Sequence, residues 1–409
     1  MNSGKEQEWI VIRGIGSVSG LGGTPQEVRA SYFSGKTAFS TLPALGTDTP
    51  VAPLSPSAEA LLQMLLQENP TYTTLDRSVQ LAILAARQAV QQAGWTGENE
   101  TPLGINIGSS RGATGLFEQF YADFLKNPEK RLSPSVSPST TLGNVASWVA
   151  NDLQATGPLI SHSVTCSTAL QAFANGVAWL KAGMAKRFLV GGTEAPLTLF
   201  TIAQMKSIGI YSKHAVNDTP CRPLNQESNT FVLGEGAAVF ALERMTRAEI
   251  EQLGLKETIV VEAVGMGYER SPSKTGISKE GGHFQLAMRD ALSQAKLPAS
   301  DIDAIVVHAP GTKAGDAAEL QAIQHVFDLS PVPSLYTNKN LIGHTLGASG
   351  ALSAELAYYL LENSGATSLP YPSSFSLPSD MFSFPSRVLI NAAGFGGNAA
   401  CLLMARICF

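Results

Sequence analysis

The sequence predicts an α/β fold built as two similar halves, and three observations carry that expectation. Strand-like and helix-like segments alternate along almost the whole chain, which argues for a mainly parallel sheet. The alternation pauses at a charged stretch, Glu243 to Lys256, and then begins again, dividing the chain into 1–255 and 256–409. Of the 409 residues, 44% are apolar and only 15% are charged, where about 25% charged is usual. That balance supplies a large core and a sparsely charged surface, as in a chain that also buries an oligomer interface.

The elements follow in order. The segment Trp9 to Gly22 reads as a short β-branched strand running into a Gly-rich turn. Its Gly14-x-Gly16 and Gly20-x-Gly22 do not form the GxGxxG of a dinucleotide loop. Residues Gly46 to Leu54 read as loop, and Leu75 to Ala93 as an amphipathic helix ended by Gly94. Leu103 to Ile107 is a buried strand and Gly143 to Leu153 a helix. Ile160 to Val164, Ser167 to Ala182 and Arg187 to Val190 make a βαβ unit, since parallel strands need a crossover helix. In the second half, strands are expected over Thr258–Gly267, Ala304–Val307, Leu335–Tyr336, Arg387–Asn391 and Ala399–Met404. Helices are expected over Gly282–Ala295, Gly315–Val326 and Gly347–Leu361.

Several function classes are excluded at this level. A net charge of -5 without a basic run argues against a nucleic-acid binder. No apolar stretch reaches the roughly 20 residues of a membrane span, and Met1 to Glu8 lack a signal peptide's apolar region. Cys166, Cys221, Cys401 and Cys408 form no CxxC pair, so neither a zinc site nor a disulfide framework is expected. A cytoplasmic protein is expected.

Three segments place a reactive side chain at the end of a strand or the start of a helix. Cys166 stands at a strand-to-helix junction, where free amides and the positive helix end lower a thiol's pKa. A cysteine also packs well as a small apolar residue, and the pattern alone leaves both readings open. His308 follows a strand and enters the Gly-rich segment 309–315, while His344 precedes a helix of small residues, with Lys339 five positions earlier. Each is equally compatible with a structural role. His162, His214, His283 and His325 are given none.

The ordered set of motifs closes these alternatives. VIRGIGSVSGLG, GPLISHSVTCSTALQAFANGVAWLKAG, RPLNQESNTFVLGEGAAVFALE, HAPGTKAGD, NKNLIGHTLGASG and NAAGFGGNAA occur in one order across nearly the whole chain. In this the sequence resembles the β-ketoacyl-acyl-carrier-protein synthases, condensing enzymes of the thiolase fold. The resemblance implies a layered αβαβα fold of two similar halves, dimeric through the first. It implies Cys166 as nucleophile, His308, His344 and Lys339 as its catalytic partners, and Phe395 with Gly394 and Gly396 as oxyanion site and gate. Thr312 would touch the pantetheine arm. The implied reaction is a decarboxylative Claisen condensation of an acyl group on Cys166 with malonyl carrier protein, giving 3-oxoacyl carrier protein in fatty-acid, polyketide or polyene synthesis. It needs no metal or other cofactor. Acyl carrier protein is the implied partner, with a second copy or a related ketosynthase or chain-length factor completing the dimer.

Several positions depart from that pattern. Pro310 replaces the first of two pantetheine-contacting threonines, Ser353 stands where a glutamate is usual with Glu355 two positions on, and Asn225 and Ser228 replace an Asp and an Arg. Ala393 replaces an aromatic. The competing expectation is a non-catalytic chain-length factor, but such partners typically lose the nucleophile, and this chain keeps all four groups. Phe117, Phe120, Phe124 and Phe200 are expected in the core rather than along an acyl tunnel. Lys130, Arg131, Lys206 and Lys213 are candidates for carrier docking.

Overall fold

The computed structural model describes residues 7–409 except 45, 96–100, 143, 271–275, 329, 363–368, 372 and 374–383. Met1 to Glu6 and the helix start expected at Gly143 therefore lie outside the described residues. The first half runs β1 (Glu8–Ser19), α1 (Arg77–Gln92), β2 (Leu103–Gly108), α2 (Asn144–Leu153), β3 (Leu159–Ile160), α3 (Thr168–Lys181), β4 (Arg187–Glu194) and β5 (Gly236–Thr246). The second repeats that order as β6 (Glu257–Tyr268), α4 (Gly282–Ala295), β7 (Ala304–Val306), α5 (Lys313–Val326), β8 (Ser334–Tyr336), α6 (Ser349–Leu361), β9 (Arg387–Gly394) and β10 (Asn398–Cys408).

The strand order is β3-β2-β4-β5-β1 in one half and β8-β7-β9-β10-β6 in the other. The first three strands of each are parallel, and the last two are antiparallel to their neighbours. The halves join where Val11 of β1 pairs with Val260 of β6. Helices α1 and α2 cover one outer face through Val79, Ile83, Val145 and Val149. Helices α4 and α5 cover the other through Phe284, Met288, Leu320 and Ile323. Between the sheets lie α3 and α6, whose Leu170, Phe173, Leu352 and Leu356 share one core with Phe240 and Leu402. The result is the expected five-layered αβαβα fold.

Sequence and structure differ where packing overrides a local signal. Gly14 and Gly16 lie inside β1, not in a turn. A Cβ at Gly16 would stand 2.0 Å from the Ala85 carbonyl oxygen of α1, and one at Gly14 2.5 Å from that of Ala89. The same device recurs in the second half. Cβ atoms at Gly265 and Gly267 would each stand 2.1 Å from α4 carbonyl oxygens, those of Ala287 and His283. These glycines seat a helix directly on a strand. Residues Thr47–Ala52, read as loop, pair with Ser40–Ala44 and Leu233–Gly234 in a small sheet. Strand β4 continues through Gly191 and Gly192 to Glu194, because its neighbour β5 leaves no room for a Cβ at Gly191. Glu243, expected in a connector, is buried in β5 and ion-paired to Arg13 and Arg187. The strand read over 160–164 is short and gives way at once to the Cys166 loop. Phe117, Phe124 and Phe200 are exposed, against the expectation of core packing.

Candidate active site

Cys166 sits in the bend between β3 and α3, and its neighbours hold the bend from both halves. Thr165 has φ of 51°, a conformation rare for a β-branched residue and associated with functional strain. Ser167 donates to the Val164 carbonyl at 2.9 Å and is 2.6 Å from Asn398 Oδ1 of β10. The Asn398 amide in turn donates to the Phe395 carbonyl at 3.2 Å. The helix-end position fits the sequence reading, but the expected low pKa does not follow. Burial and the Glu194 carboxylate push the thiol up to about 12, with Lys339 pulling the other way. Desolvation here outweighs the helix end.

His308 follows β7, as its spacing suggested. Its backbone N–H and that of Ala309 donate to the two oxygens of Glu319 on α5, at 2.8 and 2.7 Å. Glu319 also accepts from Asn391 of β9 at 3.1 Å, so one carboxylate fixes the loop to the sheet. Asp316, one turn earlier in α5, accepts from Gly311 N–H at 3.1 Å and Thr312 N–H at 3.0 Å. Burial raises its carboxyl to about 7. His344 is 1% exposed, and its Nδ1 accepts the Leu346 N–H at 2.9 Å. That bond leaves the ring proton on Nε2. Burial and the Lys339 charge lower His344 to about 3, and burial with the neighbouring His344 holds His308 well below the usual histidine range. The two rings meet edge to face, centroids 5.1 Å apart.

Lys339 is fully buried and donates to Ser353 Oγ at 3.3 Å. Glu355 does not replace the missing carboxylate, because two positions along a helix turn the side chain to the far side. It bonds Ser17 and Tyr32 instead. Desolvation brings Lys339 down to about 8.

Cys166, His308, His344 and Phe395 line one cavity of about 390 Å³ with Thr312, Pro310, Ala393, Gly394, Phe231 and Leu346. Gly394 is obligatory, since a Cβ there would fall 1.6 Å from Thr165 Oγ1 and 3.0 Å from the Cys166 nitrogen. Gly396 and Gly397 have φ of 98° and 83°, which lets the loop turn back with Phe395 at its tip, 41% exposed. Gly396 itself does not line the cavity. Lys339 stands behind it.

Sequence reasoning missed four carboxylates here. Glu194 of β4 accepts from Ser109, Ser110 and the Gly347 N–H (2.9 Å), tying the His344 loop to the first half. Glu319 and Asp316 brace the His308 loop as described. Glu269 holds His283, which was given no role, at 3.1 Å from its Nδ1, and both line the cavity. The acidic residue of each GTE, GDxxE and GYE segment carried no signal without the contacts. Of the docking candidates, Lys206 is engaged with Thr49 at 2.6 Å. No group of His, Cys, Asp and Glu able to hold a metal occurs among the described residues. None of the described helices is long and apolar enough to cross a membrane.

Residues 7–248 match the N-terminal domain of the β-ketoacyl synthases and residues 259–367 their C-terminal domain. The chain belongs to the β-ketoacyl synthase family. It is 25% identical over 406 residues to 3-oxoacyl-[acyl-carrier-protein] synthase 2 of Staphylococcus aureus, covering 96% of this chain and 97% of that one. Nodulation protein E of Rhizobium sp. is 29% identical over 355 residues, 84% of this chain and 83% of that one. A β-ketoacyl synthase from Burkholderia phymatum superposes with a TM-score of 0.84 at 24% identity, over 98% of this chain and 100% of that one. The ishigamide ketosynthase/chain length factor gives 0.85 at 21% identity, over 98% and 99%. Membership makes this chain an acyltransferase-class condensing enzyme, of the thiolase fold that its five layers display.

Proposed function

We propose that this β-ketoacyl synthase takes an acyl group from a carrier protein's phosphopantetheine onto Cys166 and condenses it with malonyl carrier protein. The observation that carries the reading is the convergence of Cys166, His308 and His344 on one cavity, with both imidazoles neutral. A cysteine serves because its sulfur both attacks a thioester and leaves from one. The thiol's proton passes through a neutral imidazole to the departing pantetheine sulfur, so no free thiolate is needed at a pKa near 12.

Malonyl thioester then loses carbon dioxide, and the electron pair moves onto the thioester oxygen as an enolate. His344 presents Nε2–H for that oxygen, because its Nδ1 is occupied by the Leu346 amide. A neutral donor held in a dry site stabilises developing charge without reorganising. The carbanion attacks the acyl-Cys166 carbonyl, whose oxygen rests on the amides of Cys166 and Phe395. The carbon–sulfur bond breaks, the departing Cys166 thiolate takes up a proton from solvent, and 3-oxoacyl carrier protein leaves. Lys339 is a positioning residue that keeps His344 neutral. The glycines flanking Phe395 suit a gate, and Thr312 at the cavity wall suits the pantetheine arm. No metal or redox group takes part. The chain acts in the cytoplasm with acyl carrier protein, as a dimer with a second copy or a related ketosynthase.

Intact-protein mass spectrometry with acyl carrier protein tests this. A mass gain equal to the acyl group, absent in Cys166→Ala, is expected, followed by 3-oxoacyl product once malonyl carrier protein is added. A folded protein that takes no acyl group across several chain lengths would instead support the chain-length-factor role.

A further inference from the structure

Strands β6 and β10 pair to their ends, where Tyr268 faces Asn398 in register. One further bond extends the ladder, from the Glu269 N–H to the Gly397 carbonyl at 2.8 Å. This last rung is the base of the Phe395 loop. The loop lies flat on it, since a Cβ at Gly397 would stand 1.9 Å from the Glu269 carbonyl oxygen. A rung at the end of a sheet frays unless something beyond the ladder holds it. Here the Glu269 side chain does so. One of its carboxylate oxygens accepts both the His283 backbone N–H and the ring Nδ1–H, each at 3.1 Å, in the first turn of α4. Negative charge at a helix N-terminus is favourable, and Ser278 bonds the carboxylate as well. Burial lowers His283 even with that carboxylate beside it, so the ring is neutral and donates through Nδ1.

The loop is also held from the first half of the chain. Ser167, next to the nucleophile, meets Asn398, whose amide donates to the Phe395 carbonyl. Glu269 and Ser167 thus hold from two sides the short segment that carries the Phe395 N–H. We infer that Glu269 is a positioning residue for that N–H, acting through Gly397, and that His283 keeps Glu269 in place. This role rests on the reading of the Cys166 and Phe395 amides as the oxyanion site. It assigns the pair to the two steps at the Cys166 thioester carbonyl, acylation and condensation. Decarboxylation, which draws on His308 and His344, does not pass through it.

The test separates those steps in the full chain. Acylation of Cys166 by an alkanoyl N-acetylcysteamine thioester is followed by mass, and decarboxylation of malonyl carrier protein by carbon dioxide release. Glu269→Ala is expected to lower the maximal acylation rate about ten- to a hundred-fold, up to the cost of a misplacement of about 1 Å. The half-saturating thioester concentration and the decarboxylation rate are expected to stay near wild type. Glu269→Gln keeps an acceptor oxygen and is expected to restore most of the acylation rate. His283→Asn keeps a donor where Nδ1 stood and His283→Phe does not, so only the phenylalanine variant is expected to follow Glu269→Ala. These three variants decide the matter if the alanine protein does not fold. The carbonyl itself gives a direct reading. Infrared difference spectra of Cys166 carrying an isotope-labelled alkanoyl group are expected to show a carbonyl stretch lowered by its amide donors in wild type, and part-way restored in Glu269→Ala. Equal losses in acylation and decarboxylation, or wild-type acylation and carbonyl stretch in folded Glu269→Ala, overturn the inference. Failure of the oxyanion reading shows separately, as a wild-type stretch no lower than that of the free thioester in an aprotic solvent.

Discussion

The rings of His308 and His344 stand edge to face, planes at 85° and centroids 5.1 Å apart, on two loops that are braced by different carboxylates. Both rings are held neutral, so both remain hydrogen-bond donors over the range in which a free histidine titrates. Decarboxylation of malonyl carrier protein is therefore expected to show no histidine limb near pH 6.5. Alanine at either position is expected to slow it by roughly 10²-fold or more, the scale of losing one preorganised donor. A loss below tenfold at both positions, measured as carbon dioxide release, would remove the pair from the mechanism.

Opposite charges act on the Cys166 thiol, and each has its own test. Glu194 raises it and Lys339 lowers it. Glu194→Gln is expected to speed alkylation by iodoacetamide at fixed pH. The same variant should lower stability by about 1–3 kcal/mol, since buried donors from Ser109, Ser110 and Gly347 lose a charged acceptor. Slower alkylation in a folded Glu194→Gln protein would contradict the assignment.

Lys339 titrates near pH 8, where it loses the charge that holds the thiol down. Cys166 acylation is expected to fall as pH rises through that value. Ser353→Ala removes the hydroxyl 3.3 Å from Nζ, disfavours the ammonium and should move the limb to lower pH. A pH–rate profile unchanged by Ser353→Ala would place the limb on another group.

Glu355 gives a stability test free of catalysis. Its folded pKa is raised from 4.5 to about 7 by burial beside Ser17 and Tyr32. The folded state thus binds the proton that the unfolded chain releases first. Its contribution is full below pH 4.5 and lost as pH rises through about 7. Glu355→Gln cannot ionise, so relative to wild type it should gain about 1–3 kcal/mol between pH 5 and 8 in urea unfolding. A constant difference across that range would refute the assignment.

Gly16 and Gly267 test the repeated architecture. Alanine at either would drive a Cβ to 2.0 or 2.1 Å from a helix carbonyl oxygen. Each is expected to cost about 3 kcal/mol, the upper end of overpacking, because backbone rather than a flexible side chain must move. Thermal unfolding within error of wild type would mean that the helix shifts freely.

Much of this was legible in the chain. The order of strands and helices follows from apolar periodicity, and the segments around Cys166, His308 and His344 carry enough side-chain detail to be read one by one. The repeated order of elements was legible too, whereas Gly14-x-Gly16 and Gly265-x-Gly267 emerge as equivalent only where a helix packs on each. Glycine in a strand suggests a turn until a helix is seen lying on it. Glu243 read as connector for a similar reason, since nothing local announces that Arg13 and Arg187 will meet it in the sheet.

The sequence by itself determined the layered α/β fold, the family and which nucleophile and imidazoles could act, because those depend on residue type and local order. Only the tertiary structure decided their working state. Desolvation, opposing charges and contacts between distant segments raise the thiol, hold both histidines neutral, give Lys339 a hydroxyl instead of a carboxylate, and tie the Phe395 loop to Glu269. Those are properties of which groups end up near one another and how little water remains between them, and no spacing along the chain encodes them directly.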